Sequence, residues 1–114
     1  ITLDAARLKK GRRVVLDVGG VSNLAVVVVN DQPLGVLWNA PFRLKIADAA
    51  KAGANMVEVR VTNVWKIRLI GDAKLPEDGR TTWTVYPFYK NEPDAPLMES
   101  GLLGPIRLLS AEPI

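Results

Sequence analysis

Apolar and polar residues alternate with a period of two along much of this chain. In Arg13-Val14-Val15-Leu16-Asp17-Val18, the residues Val14, Leu16 and Val18 share one side. Phe42-Arg43-Leu44-Lys45-Ile46 alternates strictly, and in Met56-Val57-Glu58-Val59-Arg60-Val61-Thr62 three valines oppose Glu58, Arg60 and Thr62. This is the signature of half-buried antiparallel strands. Each inward aliphatic side chain contributes roughly 1.5–3 kcal/mol on burial, so these stripes outweigh local propensity in choosing the fold. Leu24–Val29 is apolar on both faces, which predicts a central strand or one whose outer face is covered. The turn formers Asn30-Asp31-Gln32-Pro33-Leu34-Gly35 then lead into Val36-Leu37-Trp38 and predict a hairpin. Asp48 predicts the cap of a single helical turn through Ala49, Ala50 and Lys51, ended by Gly53. No longer helix is predicted. A last strand is expected over 106–109, after the break at Gly104-Pro105. Five to eight short strands separated by turns predict an all-β antiparallel sandwich.

One stretch has no clean period. Residues 63–86 include Asn63-Val64-Trp65-Lys66-Ile67-Arg68-Leu69-Ile70-Gly71-Asp72, the turn composition Pro76-Glu77-Asp78-Gly79, and Trp83. Irregular segments of this length are uncommon in compact domains and often functional. Every aromatic residue lies between Trp38 and Tyr89, with Trp65, Trp83, Tyr86, Phe88 and Tyr89 in the later part of that span. There is no internal repeat.

Composition narrows the chemistry. The 114 residues amount to one domain, and 48% hydrophobic with 24% charged residues argues for a packed core and against disorder. The chain has no cysteine and no histidine, which removes disulfides, thiol nucleophiles, Cys or His metal sites and His-based triads. The net charge of +3 is uneven. Residues 1–13 hold Arg7, Lys9, Lys10, Arg12 and Arg13 against Asp4, whereas the remainder holds 10 basic and 11 acidic side chains. Residues 1–13 are therefore read as a basic N-terminal segment, either an edge strand or frayed, and 14–114 as a single β-sandwich domain. No aromatic residue interleaves the basic segment, so a nucleic-acid partner is not expected, and binding through that segment stands only as a rival reading. The longest apolar run, Leu24–Val29, is too short to span a membrane as a helix, and no membrane partner is expected. A first residue that is not Met suggests a piece of a longer polypeptide, so localisation is not read from this end.

Catalytic constellations are sparse. Asp72, Glu77 and Asp78 are carboxylates that glycosidase chemistry would need in a pair, but Pro-Glu-Asp-Gly is more often a solvated turn. Ser100-Gly101 lacks a nucleophile elbow, and Val18-Gly19-Gly20-Val21 reads as a plain turn rather than a phosphate loop. A carbohydrate site needs an exposed aromatic face beside polar groups, and Trp38, Asn63, Trp65, Arg68, Asp72 and Trp83 are of those types. From these, Trp65, Arg68, Asp72 and Trp83 are the candidate carbohydrate contacts. Two structural readings compete: a tryptophan in a small domain is more often core than platform, and Arg68 with Asp72 forms an internal ion pair equally well. The apolar strand Leu24–Val29 and the Leu-rich end (Leu97, Leu102, Leu103, Leu108, Leu109) exceed what a free surface needs and are candidates for docking.

Several of these segments together carry a resemblance. Val29-Asn30-Asp31-Gln32-Pro33-Leu34-Gly35, Pro41-Phe42-Arg43-Leu44, Asp48, Gly53-Ala54-Asn55 and Val57-Glu58-Val59-Arg60-Val61-Thr62-Asn63 resemble the sugar-binding jelly roll (galactose-binding-domain-like) of family 2 glycoside hydrolases. The continuation is more specific. Asn63-Val64-Trp65, Arg68-Leu69-Ile70-Gly71-Asp72, Leu75-Pro76-Glu77-Asp78, Thr82-Trp83-Thr84 and Ser100-Gly101-Leu102-Leu103-Gly104-Pro105 are similar to the C-terminal module of family 106 α-L-rhamnosidase-like glycoside hydrolases. The resemblance spans residues 14–109. It departs at Asp31-Gln32, where a Gly is usual, and at Lys66-Ile67, where the pattern ends in Asn.

The resemblance implies a jelly-roll sandwich that is a non-catalytic accessory domain. Such a domain supports the catalytic domain of its parent enzyme, a separate barrel, and contributes a carbohydrate contact. It also implies a secreted or periplasmic parent. The alternative is a stand-alone carbohydrate-binding module, and a domain with its own hydrolase activity is a more distant one. No cofactor is expected. Jelly rolls of this type often carry a structural calcium, but no Asp-x-Asp-x-Asp cluster is present to hold one.

Overall fold

The alternating stripes become strands, and their inward faces meet in one core. The computed structural model describes residues 1–85 and 93–111. The strands are β1 (Thr2–Leu3), β2 (Arg13–Asp17), β3 (Gly20–Ser22), β4 (Leu24–Val29), β5 (Gln32–Leu37), β6 (Arg43–Lys45), β7 (Gly53–Ala54), β8 (Val57–Thr62), β9 (Gly101–Gly104) and β10 (Arg107–Ala111). A helix α1 (Trp65–Ala73) and two 3₁₀ turns (Ala5–Leu8 and Glu77–Gly79) complete the described elements. Two antiparallel three-stranded sheets, β10-β2-β6 and β5-β4-β8, make the sandwich, with the smaller pairs β1-β7 and β3-β9 beside them. Val14, Leu16 and Val18 from β2 and its extension meet Ala25, Val27 and Val29 of β4, joined by Leu3, Val21 and Ile46. Val57, Val59 and Val61 of β8 pack against this cluster as their alternation predicts.

The strand Leu24–Val29 is central, between β5 and β8. Its hairpin to β5 pairs Val29 with Gln32. Asn30 and Asp31 both have positive φ, 49° and 65°. This is the primed two-residue turn whose twist matches the strands, and its second position favours glycine. The N-terminal segment is tied into the fold. β1 pairs with β7, Leu3 is buried, and Leu8 packs on the core. The plain turn at Gly19 is a close crossing. A Cβ there would lie 2.4 Å from the Gly104 carbonyl carbon, so only glycine lets β3 and β9 meet.

Buried Asn55 knots the loops together. Its Oδ1 accepts from Lys51 N (2.8 Å) and Asn30 Nδ2 (2.8 Å), and its Nδ2 donates to Lys51 O (2.7 Å) and Gly53 O (2.9 Å). Asn30 in turn donates to Ala49 O and accepts from Met56 N. Asn55 N also donates to Ile1 O. One residue thus joins the β4-β5 turn, the loop before β7 and the start of the chain.

Two expectations are corrected. The turn near Asp48 closes on backbone, with Ala49 N and Ala50 N donating to Ile46 O, and Gly53 lies in β7 with φ +88°. The stretch without a period holds a nine-residue helix where none was predicted. Its local signals are weak: Ile67 and Ile70 are middling helix formers, Gly71 is a poor one, and Val64 offers no side-chain cap. Leu69 and Ile70 are buried on its inner side, and such tertiary packing is what sustains short helices. Tyr86, Phe88 and Tyr89 lie outside the described residues.

Asn55→Ala removes hydrogen bonds that no water can replace in a site 5% exposed, so it should cost about 2–4 kcal/mol by urea unfolding; a loss under 1 kcal/mol would refute the knot. Asp31→Gly relieves the left-handed position and should gain about 0.5–1 kcal/mol, read as a higher Tm.

Candidate functional site

Helix α1 begins directly after β8, so its first turn sits at the end of that strand. Residues three, four and seven apart share a helix face, which places Trp65, Arg68 and Asp72 on one side of α1. An open cleft of about 410 Å³ runs along the helix, lined by Asn63, Val64, Trp65, Ile67, Arg68 and Gly71. Trp65 is 64% exposed. Asn63 accepts from Gly101 N through Oδ1 (2.9 Å), which leaves its amide NH₂ as a donor and links β8 to the start of β9.

Asp72 sits near the other end of α1 and is not among the residues lining the cleft. It is 3% exposed. Its Oδ2 accepts from Thr81 N (3.0 Å), Thr81 Oγ1 (3.2 Å), Thr82 N (2.7 Å) and Thr82 Oγ1 (2.6 Å). Its Oδ1 faces Arg68 Nε at 3.2 Å, and Arg68 Nη2 donates to Thr81 Oγ1 (2.5 Å). A carboxylate near a helix C-terminus is disfavoured by the helix dipole; here the converging donors overcome it. The hydroxyl of Thr82, then the backbone N–H groups of Thr81 and Thr82 and the charge of Arg68, hold the carboxyl down at about 2 against the opposing effect of burial.

The four candidate contacts therefore divide. Trp65 and Arg68 line the cleft. Asp72 is consumed by internal hydrogen bonds and positions the loop 74–82 against the helix. Trp83 follows the anchored Thr82 and is 79% exposed. Trp38 is 72% exposed, so all three tryptophans face outward rather than into the core. Thr81 and Thr82 went unread in the sequence, since two threonines in an irregular run carry no signal without the carboxylate they meet. Ile67, the residue out of pattern in the resemblance, lines the cleft and makes it more apolar.

A general acid needs a carboxyl raised toward neutrality, and Asp72 is driven the other way. Glu77 and Asp78 are exposed residues of a 3₁₀ turn. Among the described residues, no group of three or more acidic side chains could hold a metal ion, and no helix is long and apolar enough to cross a membrane.

No protein-family model matches the chain. A Formosa agariphila protein named "Putative beta-glucuronidase" is 38% identical over 124 residues, covering 89% of this chain and 10% of that protein. The solved structure of a rhamnosidase from Novosphingobium sp. PP1Y matches 97% of this chain at 42% identity with a TM-score of 0.85, and 10% of its own chain is covered. The chain spans about a tenth of the length of each of these relatives. Nearly all of it is thus similar to one segment of large glycoside hydrolases.

Because the Asp72 pKa lies below its ordinary 3.8, its contribution to stability is complete above about pH 4 and is lost as pH falls toward 2. Asp72→Asn should lower Tm by about 5–10 °C at pH 7, and the gap to the parent chain should close between pH 4 and 2. A gap independent of pH would contradict the anchoring role of the carboxylate.

Proposed function

We propose that this chain is a non-catalytic accessory module of a family 106 α-L-rhamnosidase-like glycoside hydrolase. In this reading it supports the catalytic domain and contacts carbohydrate along α1. The observation that carries the proposal is the extent of the likeness: 97% of this chain at 42% identity matches a segment that is 10% of a rhamnosidase chain. A segment of that size, without His and with its one buried helix carboxylate tied up, is suited to binding rather than bond cleavage.

The cleft supports the carbohydrate part of the reading. Sugars present C–H faces to aromatic rings and hydroxyls to polar groups. Trp65 offers the ring, with Arg68 and the Asn63 amide as donors beside it. Val64 and Ile67 add an apolar wall that suits the methyl group of a 6-deoxyhexose. Trp83 is a second exposed ring on the loop that Asp72 anchors. Asp72 acts here as a positioning residue. The names of the relatives bring two sugar classes into the set to be tested, deoxyhexoses and uronic acids.

Calorimetric titration of the 114-residue chain with rhamnose-, galactose- and glucuronate-containing oligosaccharides tests the contact. Heat of binding is expected, weakened about tenfold in Trp65→Ala; no heat across the set would remove the carbohydrate claim. Incubation with aryl α-L-rhamnosides and β-glucuronides should release no aglycone. Release that is lost in Glu77→Ala would overturn the non-catalytic reading.

A further inference from the structure

Arg13, Arg43, Lys45 and Arg107 are far apart in sequence, yet the pleat of one sheet brings them together. In β2, Val14 and Leu16 point into the core, so Arg13, Val15 and Asp17 point outward. The register carries this parity to the neighbours. Asp17 pairs with Arg43 on β6 and with Arg107 on β10, and Val15 pairs with Lys45 and Leu109. Leu44 and Leu108, the alternate residues, pack on the core. Arg13, Arg43, Lys45 and Arg107 therefore share the outer face of the β10-β2-β6 sheet, and all four residues are exposed.

Asp17 is the single carboxylate at the outward strand positions. It is 7% exposed and already committed, accepting from Gly19 N (2.9 Å) and Arg43 Nε (2.7 Å). At strand spacings of about 4.8 Å and about 3.4 Å per residue, the cations spread over about 10 by 13 Å. Val15 and Leu109 give the centre an aliphatic surface. Lys9 and Lys10, also exposed, precede β2 in a turn closed by Arg12 N donating to Lys9 O (3.0 Å). The rest of the chain carries no matching excess of positive charge.

The geometry points to this face as a second binding surface, separate from the α1 cleft, for an extended polyuronate chain. Carboxylates repeating along a glycan complement cations repeating along a flat sheet, and the sugar C–H groups lie on Val15 and Leu109. Single-stranded nucleic acid binds by stacking bases on aromatic rings, and the outward strand positions include no aromatic residue. The choice of a glycan rests on the carbohydrate reading above; the location rests on the sheet register alone.

Affinity electrophoresis and calorimetry of the whole chain with polyglucuronate, neutral dextran and a short DNA duplex test it. Polyglucuronate should bind, and binding should weaken about tenfold between about 50 and 300 mM salt. The double variant Lys45→Gln/Arg107→Gln, with its fold checked by circular dichroism and Tm, should weaken polyglucuronate binding about tenfold or more. In a Trp65→Ala background, which removes the contribution of the cleft, the double variant should still cause this loss, and dextran should not bind. No binding at low salt, equal binding by the double variant, or tighter binding of DNA would overturn the proposal. Loss in Trp65→Ala with none in the double variant would move the uronate to the cleft, which sinks this surface and preserves the carbohydrate reading. Loss in the double variant, with no heat from the oligosaccharides used for the cleft, would sustain this surface and sink the cleft.

Discussion

The row Val14, Leu16 and Val18 facing Ala25, Val27 and Val29 is the constraint on which the other features rest. All six side chains are almost fully buried. Alternation in a strand is strict, so fixing one face fixes the other. A slip of one residue in β2 would send Arg13 and Asp17 into the core, at a cost far above that of any surface contact. The same register sets Arg43 and Arg107 on either side of Asp17. The charge pattern on the outer face is thus a by-product of burying the inner one.

Hydrophobic alternation does not hold the loops. Two buried polar side chains do, and their chemistries differ for a reason. Asn55 meets both N–H groups and carbonyls, so it must donate and accept at once. Asp72 meets only donors, from Thr81, Thr82 and Arg68, and an acceptor-only carboxylate suits it. Among the described residues, no buried side-chain nitrogen or oxygen lacks a partner, as expected where desolvation is costly. Each hub frees its neighbours for the surface. With Thr82 anchored, Trp83 stands in solvent; with α1 held at its far end, Trp65 and Arg68 border a cleft.

Exposure also bears on function. Large aromatic rings left in water are costly unless something covers them part of the time, and outward tryptophans suit the apolar faces of sugars. The sheet face presents the opposite chemistry, charge without rings. A single small sandwich therefore presents two chemically different surfaces, built from different parts of the chain.

The strands of the sandwich were legible because period-two alternation is a local signal: Val57-Glu58-Val59-Arg60-Val61-Thr62 states its own two faces. The hairpin after Val29 was legible for the same reason, since turn chemistry lies in adjacent residues, but its turn is the pair Asn30-Asp31 alone and Gln32-Pro33-Leu34-Gly35 already belong to β5. Helix α1 was not, because Leu69 and Ile70 become a buried side only once neighbouring elements cover them. Asp72 was legible as a candidate but not in its role, which depends on threonines nine and ten residues later. What the sequence determined alone was the sandwich, its inward stripes and the residue types of the candidate site. What the tertiary structure decided was exposure and company: which tryptophans face water, which carboxylate is spent internally, and which distant arginines share a face. Those depend on pairings between segments far apart in the chain, and no local period encodes them.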